Sequence, residues 1–226
     1  MAYILHIESS STVCSVALSQ NTELIAIKEI NNGFTHAENL HVFIEQLFIE
    51  SGIKISELNA VSISVGPGSY TGLRIGFSAA KGLAYALQIP LIEISTLAAF
   101  AFQAIHPSLG DIFYCPLFDA RRMEVYTAVY DNQLNEILKP KAIVLDIESI
   151  KELTTFGKVC YFGDGMPKTK ELLKGSTNSI FIENLMPSSK SMITLAYHKF
   201  INNDFADIAY SEPKYIKEFF FTTSKK

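Results

Sequence analysis

The chain has few of the features that would indicate a disulfide framework, a cysteine-based metal site or a membrane span. Its 226 residues include no tryptophan and three cysteines, and Cys14, Cys115 and Cys160 are too far apart to form a CxxC pair. Their odd number and wide spacing favour reduced, buried thiols of a cytoplasmic protein. A basic, apolar leader and a run of about 18 apolar residues are also absent, so we expect no secretion signal and no membrane contact.

A strong excess of positive charge is likewise missing. The chain carries 19 Lys and Arg against 23 Asp and Glu, which gives a formal net charge of −4. Nonspecific binding of nucleic acid depends on neutralising phosphate charges. The negative net charge therefore argues against strong, sequence-independent binding of nucleic acid by this chain alone. With 48% hydrophobic and 19% charged residues, the composition is that of a globular protein with one large domain or two small ones.

Hydrophobic patterning predicts an α/β chain. The predicted elements of the first half are strands at 3–8, 13–19, 24–30, 61–65 and 91–94 and helices at 35–51, 71–87 and 95–105. The first three strands are joined by short polar connections, which favours antiparallel hairpins. Three strands followed by helix, strand, helix, strand and helix is the order of a ribonuclease-H-like lobe, which actin-like proteins use twice. We therefore predict an actin-like (ASKHA) fold of two such lobes, the second shorter and degenerate.

The best domain boundary is the segment 106–110, where a proline, a serine and a glycine separate two runs of predicted elements. It divides the chain into an N-terminal ribonuclease-H-like lobe at 1–106 and a C-terminal degenerate lobe at 107–226. The second lobe is predicted to contain strands at 112–118, 123–130, 134–145 and 159–162 and a helix at 188–200. The basic and aromatic end at 219–226 is predicted to be a partly ordered tail, to which we assign no function.

Residues 65–76 form a glycine-rich turn between a predicted strand and a predicted helix. Gly66, Gly68 and Gly72 give the spacing G-x-G-x-x-x-G, one residue too long for the dinucleotide fingerprint, and no Gly-Lys-Ser/Thr follows as in a P-loop. Glycines at such a turn let another backbone or a phosphate come close. The pattern predicts a tight, closely packed turn at a helix start and leaves the identity of the close neighbour open.

Both long helices of the first lobe have more apolar surface than one core contact needs. The core stripe of helix 35–51 is predicted to be Leu40, Phe43, Ile44, Leu47 and Phe48. Val42 and Ile49 lie opposite this stripe, and helix 71–87 carries small residues beside a narrow polar strip. Stray surface aliphatics and internal packing would account for part of this pattern. Together the helices predict a partner interface formed by Glu38, Val42, Ile49, Gly72, Arg74, Gly76, Ser78 and Ala79.

Candidate catalytic groups are sparse. His36 and His41 are five residues apart, about 140° around the helix, so they cannot face one metal ion; His36 is predicted to be a capping or surface group. Glu8 ends the first strand where actin-like nucleotide sites carry an acidic residue, and with Ser9 it is a candidate vestigial nucleotide or metal site. The glycine-free loop at 9–12 favours a plain polar turn instead. Segment 119–126 is compatible with a salt-bridged hairpin turn or with a site. We assign no catalytic residue and no metal ligand.

Several segments of the chain resemble the bacterial TsaB family. They are ILHIESS at 4–10, CSVAL at 14–18, HAENL at 36–40, the glycine-rich turn, AKGLA at 80–84, ISTL at 94–97, DAR at 119–121 and EPKYI at 212–216. The resemblance implies the non-catalytic dimerisation subunit of the complex that makes threonylcarbamoyladenosine beside the tRNA anticodon. It further implies pairing with the catalytic paralogue TsaD and the ATPase TsaE, a homodimer when alone, and tRNA contact only through the complex. ATP and metal are then used by the partner subunits, and no cofactor is bound by this chain alone.

Two departures from related patterns bear on chemistry. The resemblance implies that the catalytic paralogue carries an H-x-x-x-H metal pair where this chain has Thr96 and Phe100. Neither residue can replace an imidazole ligand. Glu8 stands where the family more often has aspartate. A scaffold subunit is therefore the predicted function. The alternative is an actin-like-superfamily ATPase or small-molecule kinase that uses Glu8 and the glycine-rich turn.

Overall fold

The computed structural model of the chain describes residues 1–33 and 35–217, so the predicted tail at 219–226 lies outside the described residues. The strands are β1 (Tyr3–Glu8), β2 (Val13–Gln20), β3 (Glu23–Asn31), β4 (Ala60–Ser64), β5 (Leu91–Ile94), β6 (Phe113–Asp119), β7 (Glu124–Tyr130), β8 (Glu136–Val144), β9 (Val159–Phe162) and β10 (Ser179–Ile182). The helices are α1 (His36–Ser51), α2 (Tyr70–Leu87), α3 (Thr96–Ala104), α4 (Ile147–Thr154), α5 (Met166–Leu172) and α6 (Ile193–Ile201), and short 3₁₀ turns lie at Ile55–Glu57, Pro107–Leu109 and Ser189–Met192.

The strands form two five-stranded sheets of the same topology. The first sheet has the order β3-β2-β1-β4-β5 and the second has the order β10-β9-β6-β7-β8. In each sheet the first three strands in sequence form antiparallel hairpins, and the last two continue in parallel from the other side of the first strand. A ribonuclease-H-like topology is thus present twice, which confirms the predicted actin-like fold.

The second lobe has the shorter helices, although by the predicted division it is not the shorter lobe (1–106 against 107–226). Its helices α4 and α5 have 8 and 7 residues, whereas their counterparts α1 and α2 in the first lobe have 16 and 18. Helices α4 and α5 and strand β10 are absent from the predicted elements, because four to eight residues give too few apolar positions to reveal a period. The helix predicted at 188–200 is divided into the 3₁₀ turn Ser189–Met192 and α6.

The core of the first lobe follows the predicted periodicity. Leu40, Ile44 and Leu47 of α1 are buried against the first sheet, while Phe43 and Phe48 at the edges of the stripe are partly buried. Helix α2 packs beside α1 on the same face of the sheet. The N-cap of α2 is Ser69, whose hydroxyl accepts a hydrogen bond from the Gly72 N–H at 3.2 Å. This cap fixes the point where the glycine-rich turn becomes helix.

Two helices are exchanged between the sheets. Helix α3 follows β5 of the first sheet, yet Phe100 and Ala104 pack into the core of the second sheet beside Tyr114. Helix α6 follows the second sheet, yet Ala196 packs against β1 and β5 beside Ile4. Each lobe therefore takes a helix from the other half of the chain. The predicted division at residue 106 stays a prediction.

The three thiols are free and buried. Burial raises the pKa of Cys14 to about 11 and the pKa values of Cys115 and Cys160 to about 12. Such thiols stay protonated at neutral pH and are poor nucleophiles. Among the helices of the described ranges, none combines the length and the apolarity that crossing a membrane requires.

Candidate functional site

The turn between β1 and β2 is the place where an actin-like nucleotide site would begin, and here it is enclosed by the chain itself. Ser9 and Ser10 are buried beneath the start of α2. The Ser69 N–H donates to the carbonyl oxygen of Ser10 at 2.6 Å. A Cβ added to Gly68 would lie 2.7 Å from the Ser10 Cβ, and one added to Gly72 would come closer than 3.0 Å to the Ser9 carbonyl oxygen. The close neighbour left open by the sequence is therefore the β1–β2 turn, which leaves no room for a phosphate between the two segments.

Glu8, at the end of β1, is buried in the same place. Its Oε1 atom accepts a hydrogen bond from the Ser10 N–H at 2.6 Å. Burial raises the pKa of the Glu8 carboxyl above its usual range, and the hydrogen bonds from Ser10 offset this only in part. Within residues 1–33 and 35–217, no cluster of three or more His, Cys, Asp and Glu side chains could hold a metal ion. Glu8 and Ser9 are thus buried together beneath the start of α2, and their assignment as a vestigial nucleotide or metal site stays a prediction.

His36 is a buried structural residue, so the prediction of a capping or surface group is wrong. Its Nε2 atom donates to the carbonyl oxygen of Ser11 at 2.8 Å, and its ring also flanks Gly72. Burial lowers the pKa of His36 and so favours the neutral ring, and the hydrogen bond to Ser11 offsets this only in part. The N-cap position of α1 belongs to Thr35 instead. Sequence reasoning missed this role because the partner lies 25 residues away, on the β1–β2 turn.

Thr96 and Phe100, the two positions that the resemblance aligns with a metal-binding pair of the paralogue, have packing roles here. The Thr96 hydroxyl accepts a hydrogen bond from the Gly66 N–H at 2.8 Å and so ties α3 to the glycine-rich turn. The Phe100 ring packs edge-on against Phe118 and Phe162, with centroid distances of 5.5 and 4.9 Å. Both side chains are buried, and neither offers a metal ligand.

Segment 119–126 is a salt-bridged hairpin turn, one of the two readings that the sequence allowed. The Lys168 ammonium binds the Asp119 carboxylate at 2.8 Å and donates to the carbonyl oxygens of Arg122 and Glu124 at 3.0 and 2.6 Å. The ion pair thus comes from α5, and not from the arginines of the turn. Arg121 and Arg122 point outward with φ angles of 68° and 48°, which are unusual for residues other than glycine.

An exposed groove separates α1 from α2. It encloses about 640 Å³ and is lined by Ala37, His41, Tyr70, Thr71, Arg74, Ile75, Ser78, Ala79, Gly82 and Leu83. The outer face of α1 beside it exposes Val42 and Ile49, at 45% and 73%. Sequence reasoning missed Ala37 and Gly82, whose lack of bulk keeps the groove open; a Cβ at Gly82 would meet nothing within 4 Å.

The predicted interface residues divide into two groups. Glu38, Val42, Ile49, Arg74 and Ser78 are exposed on this face of the molecule, and Ala79 lies at the floor of the groove. Gly72 and Gly76 were assigned to the interface but are buried on the inner side of α2, against Ser9. They serve the close approach of α2 to the β1–β2 turn, and a partner cannot reach them.

The comparisons with known proteins agree with the motifs. The family model for TsaD, described as tRNA N6-adenosine threonylcarbamoyltransferase, matches residues 32–223. The tRNA threonylcarbamoyladenosine biosynthesis protein TsaB of Escherichia coli K12 is 29% identical over 95% of this chain and 94% of its own length. The protein of the same name from Buchnera aphidicola of Schizaphis graminum is 35% identical over 86% of this chain and 92% of its own length.

A solved structure extends the likeness to the fold. It is a Pseudomonas aeruginosa protein described as similar to the peptidase YEAZ, and it superposes with a TM-score of 0.81 over 96% of this chain and 100% of the other. At 24% sequence identity this likeness concerns the fold alone. The chain belongs to the family that the TsaD model describes and, within that family, to the TsaB proteins.

Proposed function

We propose that this chain is a non-catalytic scaffold subunit in tRNA threonylcarbamoyladenosine biosynthesis, the process for which its curated relatives are named. It pairs with the catalytic paralogue TsaD and, with the ATPase TsaE, supports modification of the adenosine beside the anticodon. The chain alone binds no cofactor, because ATP and metal are used by the partner subunits. It works in the cytoplasm and contacts tRNA only through the complex.

The observation that carries the non-catalytic role is the enclosure of the β1–β2 turn. Actin-like enzymes need this turn open to a phosphate and a metal ion. Here the backbone of α2 occupies the space, since Gly72 lies against the Ser9 carbonyl oxygen. The buried Thr96 and Phe100 support the same conclusion, because they replace the two imidazoles that the paralogue would use.

The groove between α1 and α2 supports the scaffold role. Exposed Val42 and Ile49 on a helix beside an open, largely apolar groove form the kind of surface that a partner helix covers. The same surface serves a second copy of this chain when the paralogue is absent. The heterodimer and the homodimer are then mutually exclusive.

Reconstitution with purified proteins tests the proposal. The chain is mixed with the catalytic paralogue and analysed by size-exclusion chromatography, and each protein alone and the mixture with the ATPase are assayed for ATP hydrolysis and for threonylcarbamoyl transfer to tRNA. We expect a stable heterodimer, transfer only by the complete mixture, and no turnover by this chain alone. Magnesium-dependent ATP turnover by the isolated chain that Glu8→Ala abolishes would establish the alternative, an actin-like ATPase or kinase.

A further inference from the structure

Arg74 is held in one orientation at the end of the groove by two tyrosines from distant parts of the chain. Its guanidinium lies over the Tyr70 ring, with 4.3 Å from Cζ to the ring centroid. Its Nε–H donates to the Tyr215 hydroxyl oxygen at 3.2 Å. The two tyrosine rings pack against each other with their centroids 5.0 Å apart. An exposed arginine would otherwise be mobile, so this arrangement fixes its direction before any partner arrives.

Tyr215 is itself anchored by the C-terminal segment, defined here as residues 211–217. The Lys214 N–H donates to the carbonyl oxygen of Val65, directly after β4, at 2.8 Å. At the start of the segment, the Ser211 hydroxyl donates to the Glu93 carboxylate at 2.7 Å. At its end, Lys217 forms an ion pair with Glu124 of the second lobe at 2.5 Å. The segment therefore crosses the start of α2 with attachments on both sides of Tyr215.

The free edge of Arg74 determines what it can bind. Its Nε is used by Tyr215, and within residues 1–33 and 35–217 the terminal nitrogens Nη1 and Nη2 have no hydrogen-bond acceptor. A planar guanidinium with its outer N–H groups available matches a carboxylate, which it binds with two parallel hydrogen bonds. Apart from Arg74, the groove is lined by apolar, small and uncharged polar side chains and by His41. The complementary surface is an amphipathic helix with a small apolar face and one carboxylate at the Arg74 end.

We propose that Arg74 is the charged anchor of the groove between α1 and α2. It binds a carboxylate on the helix of the catalytic paralogue that covers this groove, and Tyr215 is its positioning residue. This inference rests on the proposed function. Preorganisation gives the anchor its strength, because the side-chain entropy of Arg74 is already lost in the free subunit and is not lost again on binding. Arginine and tyrosine together at the end of an apolar groove also match the composition of binding hot spots. The C-terminal segment thereby becomes part of the partner site.

The affinity of purified subunits at two ionic strengths tests this assignment. The full chain and the variants Arg74→Gln, Tyr215→Phe and their combination are titrated with the catalytic paralogue at about 50 mM and about 300 mM salt. Arg121→Gln, an exposed arginine on the other lobe, is the matched control. We expect Arg74→Gln to weaken binding by about 10- to 100-fold at low salt, as for loss of a charged hydrogen-bonded pair, and to remove most of the salt dependence. The control should bind like the unmodified chain.

The combined variant separates positioning from simple packing. Tyr215→Phe keeps the ring and removes the hydroxyl acceptor, so it should weaken binding about threefold or more while Arg74 is present and have no effect when residue 74 is glutamine. Arg74→Gln binding within about twofold of the unmodified chain at both salts would overturn the anchor, and equal effects of Tyr215→Phe in both backgrounds would overturn the positioning role. If the unmodified chain does not bind the paralogue at all, the proposed scaffold function is wrong, and the assignment of Arg74 falls with it.

Discussion

Gly72 lies directly against the carbonyl oxygen of Ser9, at a distance that excludes any side chain at position 72. The contact joins the first turn of α2 to the β1–β2 turn. In this chain they face each other. A glycine at this position therefore allows the two segments to pack more closely than any other residue would.

The close contact between Gly72 and Ser9 leads to a prediction that can be tested at two glycines of α2. Gly72→Ala should lower the free energy of unfolding by about 2 kcal/mol or more, since the added methyl group meets a backbone oxygen that cannot rotate away. Gly82→Ala should raise it by about 0.5 to 1 kcal/mol, because the site is open and alanine is the better helix former. Urea denaturation of the two variants measures both. Equal stabilities would contradict the close contact.

The exposed residues Val42 and Ile49 lead to a prediction about pairing, and the second lobe offers a matched control. Val42→Asp with Ile49→Lys should abolish pairing, because an unpartnered charge buried in an interface costs several kcal/mol and a micromolar complex has about 8 kcal/mol in total. The control is Val144→Asp with Ile147→Lys, since Ile147 and Ile49 are both 73% exposed.

Circular dichroism and size-exclusion chromatography read the outcome for both double variants. Both should fold, because all four replaced side chains are exposed and the core stripe of α1 is untouched. Only the first should elute as a monomer when mixed with the paralogue. If the α1 variant still pairs like the unmodified chain, Val42 and Ile49 are ordinary surface residues.

The burial of His6 predicts how the free energy of unfolding depends on pH. It is buried in the first sheet, with Nδ1 2.7 Å from the Ser62 hydroxyl and Nε2 2.8 Å from the Ser19 hydroxyl. Burial lowers its pKa from 6.5 to about 3. The unfolded chain therefore binds a proton that the folded chain does not, so the stabilising contribution is complete above pH 6.5 and is lost as the pH falls toward 3.

The expected loss from His6 alone is on the order of 3 kcal/mol between about pH 7 and about pH 4. His6→Gln should remove this loss, so that the free energy of unfolding of the variant depends less on pH than that of the unmodified chain. Denaturant titrations at five or so pH values give the slopes. Parallel curves for His6→Gln and the unmodified chain would show that His6 is not buried as a neutral ring.

The hairpin turn between β6 and β7 predicts a reversal of the usual preference for alanine over glycine. Arg122 has a φ angle of 48°, where a Cβ is unfavourable and glycine is not. Arg122→Gly should therefore be more stable than Arg122→Ala by about 1 kcal/mol, although both remove the charged side chain. Thermal unfolding of the two variants decides the sign, and a less stable glycine variant would show that this backbone is relaxed.

Sequence predicted those parts of the structure that depend on local pattern. The hairpins, the extents of α1 and α2, and the core stripe through Leu40 and Leu47 follow from periodicity and from the polar connections between strands. The exposure of Val42 and Ile49 follows from the same helical geometry.

The remainder depends on contacts between distant segments. A helical wheel shows that Gly72 and Gly76 share a side of α2, but it does not show that this side faces the β1–β2 turn. The hydrogen bond of His36 to Ser11 and the ion pair of Lys168 with Asp119 span 25 and 49 residues. The hydroxyl of Tyr215 is 141 residues from Arg74. Composition and spacing carry no signal for such pairs.

The exchange of α3 and α6 between the sheets sets the order in which the cores can close during translation. One face of the first sheet, which includes Ile4 and Ile92, is covered by Met192 and Ala196. A nascent chain that has emerged only as far as β10 still exposes that apolar face to solvent. Exposed apolar surface of this kind is what chaperones bind and what drives aggregation. The first lobe to leave the ribosome is thus completed only after the 3₁₀ turn Ser189–Met192 and α6 have followed it.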